Sequence, residues 1–150
     1  MSNYISLESI LGKKDEELTA LGRGEFECAK LGTVPFCEIK QDEYKVIKKD
    51  CMKKVLNEKT HQYDDEIDDD KLMTKLILAA VDKESKQPDA RSNFTFANGD
   101  LLKKLGVVTA DGAINKLMGI GEIFKAATTI QDVCGFSEKA QKEEAEAIKN

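Results

Sequence analysis

The chain has 150 residues, 41% of them hydrophobic and 34% charged, with a net charge of -5 and a pI near 5.1. A chain of that length fits one domain that hides about two thirds of its unfolded surface, and its Leu, Ile, Val and Phe content suffices for a core, which excludes a disordered chain. The negative balance supplies no overall positive field for phosphates, which argues against nucleic acid, and no apolar run approaches the roughly eighteen residues of a membrane span.

From the N-terminus, MSNYISLESILGKK carries Glu8 and no basic region ahead of its apolar residues, so it does not fit a secretory signal. Ser6 caps a short helix bearing Leu7, Ile10 and Leu11 and stopped near Gly12; a second short helical turn covers Asp15 to Leu21. Leu-Gly pairs end at Gly12, Gly22 and Gly32, but the residues between them do not repeat, and glycine after leucine is what helix ends and turns show. Residues 25–40, EFECAKLGTVPFCEIK, alternate apolar and charged residues around a glycine and read as a β-hairpin. Pro35 cannot donate to a ladder, which places its strand at an edge.

From Gln41 the period becomes 3.6, and Tyr44, Ile47, Cys51 and Val55 share one face of a helix read over 41–56, with Lys45, Lys49 and Lys53 opposite. Asp42, Glu43 and Asp50 interrupt that lysine row and no aromatic sits among the lysines, so it reads as a solvated face. NEKTHQYDDEIDDD, residues 57–70, has few apolar residues and dense charge, the mark of a mobile loop. KLMTKLILAAVDK is apolar nearly all round, so the helix over 68–82 should be the most buried. A polar connector follows at 83–93.

Four shorter helical signals come next. Asn98 or Asp100 caps the first, which Gly106 ends; Thr109 caps the second, with Ala113, Ile114, Leu117 and Met118 inward. The third sets Ile120, Ile123, Phe124, Ala127, Ile130 and Cys134 on one side, with Gly135 as its stop and Phe136 packing back; the last starts at Ser137. Together these elements predict a predominantly helical α+β fold: a small N-terminal β-hairpin packed on helices, and a C-terminal cluster of short helices. The whole reads as a single domain over 1–150, in which 1–82 and 94–150 form possible sub-lobes.

Chemistry is sparse. The six carboxylates between Asp64 and Asp70 would suit a calcium loop only with a glycine sixth and a glutamate twelfth; counted from Asp64 those positions are Asp69 and Lys75, and from Asp65 they are Asp70 and Leu76. Carboxylates at a helix start gain about 0.3–1 kcal/mol each from the dipole, so a helix start explains them. The single histidine, His61, lies in the polar stretch and supports neither a zinc cluster nor a serine triad. Cys28, Cys37, Cys51 and Cys134 lack CxxC spacing and read as reduced thiols, Cys51 and Cys134 on apolar helix faces. GRGEF and GIGEIF each lack the third glycine of a dinucleotide fingerprint. No catalytic, cofactor or metal residue is assigned, and the chain does not read as an enzyme.

Residues 100–136 carry a leucine-rich helix (Leu101, Leu102) ended by Gly106, a second ended by Leu117-Met118, Gly121-Glu122-Ile123 opening a third, and Gly135-Phe136 closing it. That order resembles the XkdN-like tail assembly chaperones of bacteriophages and phage-derived tail particles, although Ile120 stands where family members commonly carry a proline. The resemblance implies a non-enzymatic protein of the bacterial cytoplasm that binds the tape-measure protein, helps deliver it to the growing tail tube, and then leaves. It implies a protein partner, with the tail-tube protein or a homo-oligomer as further possibilities, and no nucleic acid or membrane. A structural tail or baseplate subunit is the alternative, and a small calcium-responsive regulator a second one. The strip nominated for the partner is Leu117, Ile120, Ile123, Phe124 and Ile130, residues whose spacing equally suits the interior.

Overall fold

The computed structural model describes residues 4–135. Ser6 Oγ accepts from Ser9 N at 3.2 Å and starts α1 (Leu7–Leu11); α2 (Asp15–Thr19) follows, and neither helix buries a residue. The chain then runs twice through a strand-strand-helix unit. The first is β1 (Arg23–Cys28), β2 (Gly32–Cys37) and α3 (Gln41–Asp50); the second is β3 (Met52–Asn57), β4 (Gln62–Ile67) and α4 (Asp69–Ser85). Each strand pair forms a separate antiparallel hairpin. A helical cluster completes the described chain: α5 (Gly99–Leu105), α6 (Ala110–Leu117) and α7 (Ile120–Cys134). The fold is α+β and predominantly helical, as the sequence predicts.

In the first hairpin the period of two sends Phe26, Cys28, Val34 and Phe36 inward. Phe26 and Phe36 stack with ring centroids 6.2 Å apart. Gly24 sits opposite Phe36 in the ladder, and a Cβ there would come within 2.6 Å of the Phe36 ring, so only glycine admits that ring. α4 packs on β2 and α7 packs on β1 and α4, so two helices cover the hairpin's inner face. The resulting core joins Phe36, Leu76, Ile77, Ile114 and Ile130, residues drawn from both ends of the chain.

Three expectations are corrected. The helix read over 41–56 stops at Asp50: Cys51 caps it, and the chain turns into β3 instead of carrying Val55 round the helix. Lys45 and Lys49 therefore stay on α3 while Lys53 moves to a strand opposite Glu66, which breaks the lysine row. The stretch read as a loop is the second hairpin. Asn57 Oδ1 accepts from Lys59 N at 3.0 Å and Thr60 N at 3.4 Å, His61 takes a left-handed φ of 59°, and Lys53 and Lys54 stand opposite Glu66 and Asp65. Finally, α4 runs to Ser85, into the supposed connector, because Glu84 is held inside the protein.

Glu84, 1% exposed, accepts from Arg91 Nε at 2.9 Å, from Arg91 N at 3.0 Å and from the Cys37 thiol at 2.8 Å. Arg91 also donates to the carbonyls of Gly24 and Phe36, and Arg23 binds Asp89 through two hydrogen bonds of 2.8 Å. The polar connector is thus a staple from α4 to both strands of the first hairpin. Burial pushes the Glu84 carboxyl up, but the hydrogen bonds from Arg91 and Cys37 outweigh it and hold it at about 2. Beyond the staple, Phe96 is fully buried and meets Phe94 edge-on at 5.0 Å, a core contribution from a segment without regular structure.

The capped helices match their sequence signals. Asp68 Oδ1 accepts from Lys71 N at 3.2 Å to start α4, Asn98 Oδ1 from Leu101 N at 3.1 Å to start α5, and Thr109 Oγ1 from Gly112 N at 3.1 Å to start α6. Gly106 ends α5 with φ 69°, a left-handed turn that glycine takes without strain. Phe136 and the helix read from Ser137 lie outside the described residues.

Candidate partner-binding surface

Met118 is extended (ψ 135°) between α6 and α7, so the helical path breaks there, and each of the two helices packs on α4. Gly119 opens α7, and Glu122 accepts from Gly119 N at 3.2 Å through one oxygen and from Ala29 N at 2.8 Å through the other. One carboxylate thereby caps the helix and fixes it to the turn of the first hairpin. Those backbone hydrogen bonds, Ala29 foremost, hold the Glu122 carboxyl below its usual range.

Anchored in this way, α7 divides the nominated strip. Leu117, Ile123 and Ile130 are buried in the core, whereas Ile120 and Phe124 are 80% and 61% exposed. Four residues apart, these two stand one above the other on the outer side of the helix. Beside them a cleft of about 300 Å³ is lined by Met73, Thr74, Met118 and Ile123, with Asp70 and Asn115 also at its wall. Methionine is unbranched and adaptable, which suits a wall that must fit a variable apolar surface.

A larger groove of about 500 Å³ runs between α3 and α4, past Ile47, Leu78, Ala79 and Ala97. Four polar side chains of its wall are engaged within the protein: Lys86 pairs with Asp82 at 2.8 Å and Lys75 with Asp111 at 3.3 Å, and Thr95 donates to Asp82 at 3.2 Å. Size alone does not make it the better candidate, since it projects no large apolar side chain comparable to Ile120 or Phe124.

The carboxylates of residues 64–70 do not converge. Asp64 accepts from Asn57 Nδ2 at 2.9 Å, Asp65 pairs with Lys54 at 3.8 Å on the other face of the ladder, and Asp68 caps a helix. Among the described residues no group of three or more His, Cys, Asp or Glu could hold a metal ion. His61 sits in the turn at the far end of the second hairpin from Cys51. The four cysteines are free; burial raises the thiols of Cys37, Cys51 and Cys134. Cys51 lies just beyond its helix, and Cys134 closes α7, where its sulfur accepts from Ile39 N at 3.2 Å. No helix of the described residues is long and apolar enough to cross a membrane.

A second apolar surface escaped the sequence reading. Met52, Leu56 and Tyr63 on the second hairpin are 43%, 50% and 67% exposed. Asn57 at the start of its turn, and lysines facing carboxylates at matching distances from that turn, are the signals that could have revealed it.

The family model described as phage XkdN-like tail assembly chaperone protein, TAC, matches residues 7–149. No curated protein and no solved structure matches the chain.

Proposed function

The chain belongs to the phage XkdN-like tail assembly chaperone family, and on that premise we propose that it acts without bond chemistry, by covering apolar helical surface of the tape-measure protein while a tail is built. The supporting observation is the outward pair Ile120 and Phe124 beside the methionine-walled cleft. A long amphipathic client aggregates unless its apolar stripe is laid into a groove, and an exposed apolar strip is what such a groove offers. Leu117, Ile123 and Ile130 serve this surface from beneath, by fixing the helices that carry it. The setting is the bacterial cytoplasm, where the client is delivered to the growing tail tube, and residues 1–82 and 94–150 work as one folding unit around their common core.

Co-expression with the tape-measure protein of the same phage tests this reading. The expected result is that the two copurify and that mass spectrometry of finished tails finds this chain absent. Stoichiometric amounts in mature tails would replace the chaperone with a structural tail or baseplate subunit.

A further inference from the structure

The protein contains its own example of how its hairpins are covered. On the first hairpin, α4 and α7 lie over the strands and bury Phe26, Val34 and Phe36. The second hairpin has no fully buried residue: every residue of β3 and β4 is exposed or at most half-buried, and half-buried Ile67 meets the core at its base. Yet it is two-faced. The ladder pairs Leu56 with Tyr63 and Met52 with Ile67, and the period of two places all four on one face around the Lys54–Asp65 pair. The other face carries Lys53, Asn57, Gln62, Asp64 and Glu66 around Val55. A two-stranded hairpin alone in water is marginal, and an apolar face is what a covering element would use.

Charge specifies what covers it. Residues 52–70 hold seven carboxylates against three lysines, leaving -4 of the chain's -5 in this one segment. Asp70, three residues past the end of β4, also lines the cleft beside Ile120, so the acidic segment reaches that apolar surface as well. An amphipathic helix whose apolar stripe is flanked by lysine or arginine matches both features, with carboxylates meeting cations at the rim. Self-pairing of two such arms through like strands would set carboxylates against carboxylates along β4, or lysines against lysines along β3, and both repel.

We propose that the Met52, Leu56 and Tyr63 face is a second docking surface, occupied by a helical segment of the client with a basic flank. This rests on the chaperone reading. Hydrogen exchange of the full chain, alone and with the co-expressed tape-measure protein, tests it together with a binding titration of Leu56→Ser/Tyr63→Ser and of Asp64→Asn/Asp65→Asn. Expected are protection of residues 52–67 in the complex, at least tenfold weaker binding by Leu56→Ser/Tyr63→Ser, and weaker salt dependence of binding by Asp64→Asn/Asp65→Asn. Circular dichroism serves to check that both variants fold, and the exchange measurement needs no variant. If the unaltered chain binds while residues 52–67 exchange as before and Leu56→Ser/Tyr63→Ser binds equally well, the inference is overturned and the chaperone reading stands. If the unaltered chain does not bind the tape-measure protein, both fall. Protection that follows concentration of this chain alone identifies a second copy as the occupant and overturns the inference as well.

Discussion

The two strand-strand-helix units have the same order and opposite fates. The first hairpin buries both phenylalanines, gives up a side chain at Gly24 to do so, and is stapled by Glu84 and Arg91. The second keeps its lysines, its carboxylates and Met52, Leu56 and Tyr63 at the surface; at its base half-buried Ile67 packs against the core and Asp68 N donates to Cys51 O at 2.8 Å. The strand-strand-helix order therefore does not decide whether a hairpin becomes core. What decides is whether the chain supplies helices to cover it, and here both covering helices go to the first.

The largest test of that contrast is Arg91→Ala, which strips the main partner from a buried carboxylate and should cost about 3–5 kcal/mol in denaturant unfolding. One cooperative transition is expected, because the core is common to both ends of the chain; two separate transitions would divide it into lobes.

Acid probes the same staple. The Glu84 carboxyl lies at about 2 in the folded protein against 4.5 for the ordinary group. The unfolded chain therefore binds the proton more readily, so this contribution is complete above about pH 4.5 and is lost as pH falls toward 2. It amounts to roughly 3 kcal/mol. Glu84→Gln should flatten that part of the stability-pH curve, and an unchanged acid limb would count against the staple.

Glu122→Ala removes two acceptors and should cost about 1 kcal/mol in thermal unfolding, with the turn at Ala29 loosening in hydrogen exchange. The smallest effect belongs to the second hairpin: Leu56→Ser/Tyr63→Ser should change stability by no more than about 0.5 kcal/mol per site. Amides of β3 and β4 should exchange through local opening while those of β1 and β2 need nearly global unfolding.

The same contrast explains what was legible in the sequence. Phe26, Cys28, Val34 and Phe36 alternate because one face is buried, so the first hairpin shows in its pattern. In β4, QYDDEI, neither face has that pressure; its register is written in lysine-carboxylate pairs and in the Asn57 turn, signals that density of charge conceals. The helix over 41–56 was overrun for a related reason, since Cys51 and Val55 fall on the helical face of Tyr44 and Ile47 while the chain has already turned. Phe94 and Phe96 belong to no periodic segment, and Glu84 reads as one more surface acid until Arg91 is seen to fold back on it. The caps at Thr109 and Gly106 depend on single residues and were legible, whereas the sequence left Asn98 beside Asp100 and did not single out Asp68 among the carboxylates at the start of α4. Of the partner strip, spacing alone located the helix face. Separating Ile120 and Phe124 from Leu117, Ile123 and Ile130 needed the direction fixed by Glu122.

The central claim, that exposed apolar surface binds the tape-measure protein, is tested most directly by titrating that protein with the unaltered chain and with Ile120→Asp/Phe124→Asp. Both side chains lie outside the core, so the variant should unfold at the same temperature as the unaltered chain. Loss of two apolar anchors, each contributing about 1.5–3 kcal/mol when buried, should weaken binding by about a hundredfold or more. Equal affinity in the two titrations would contradict the account.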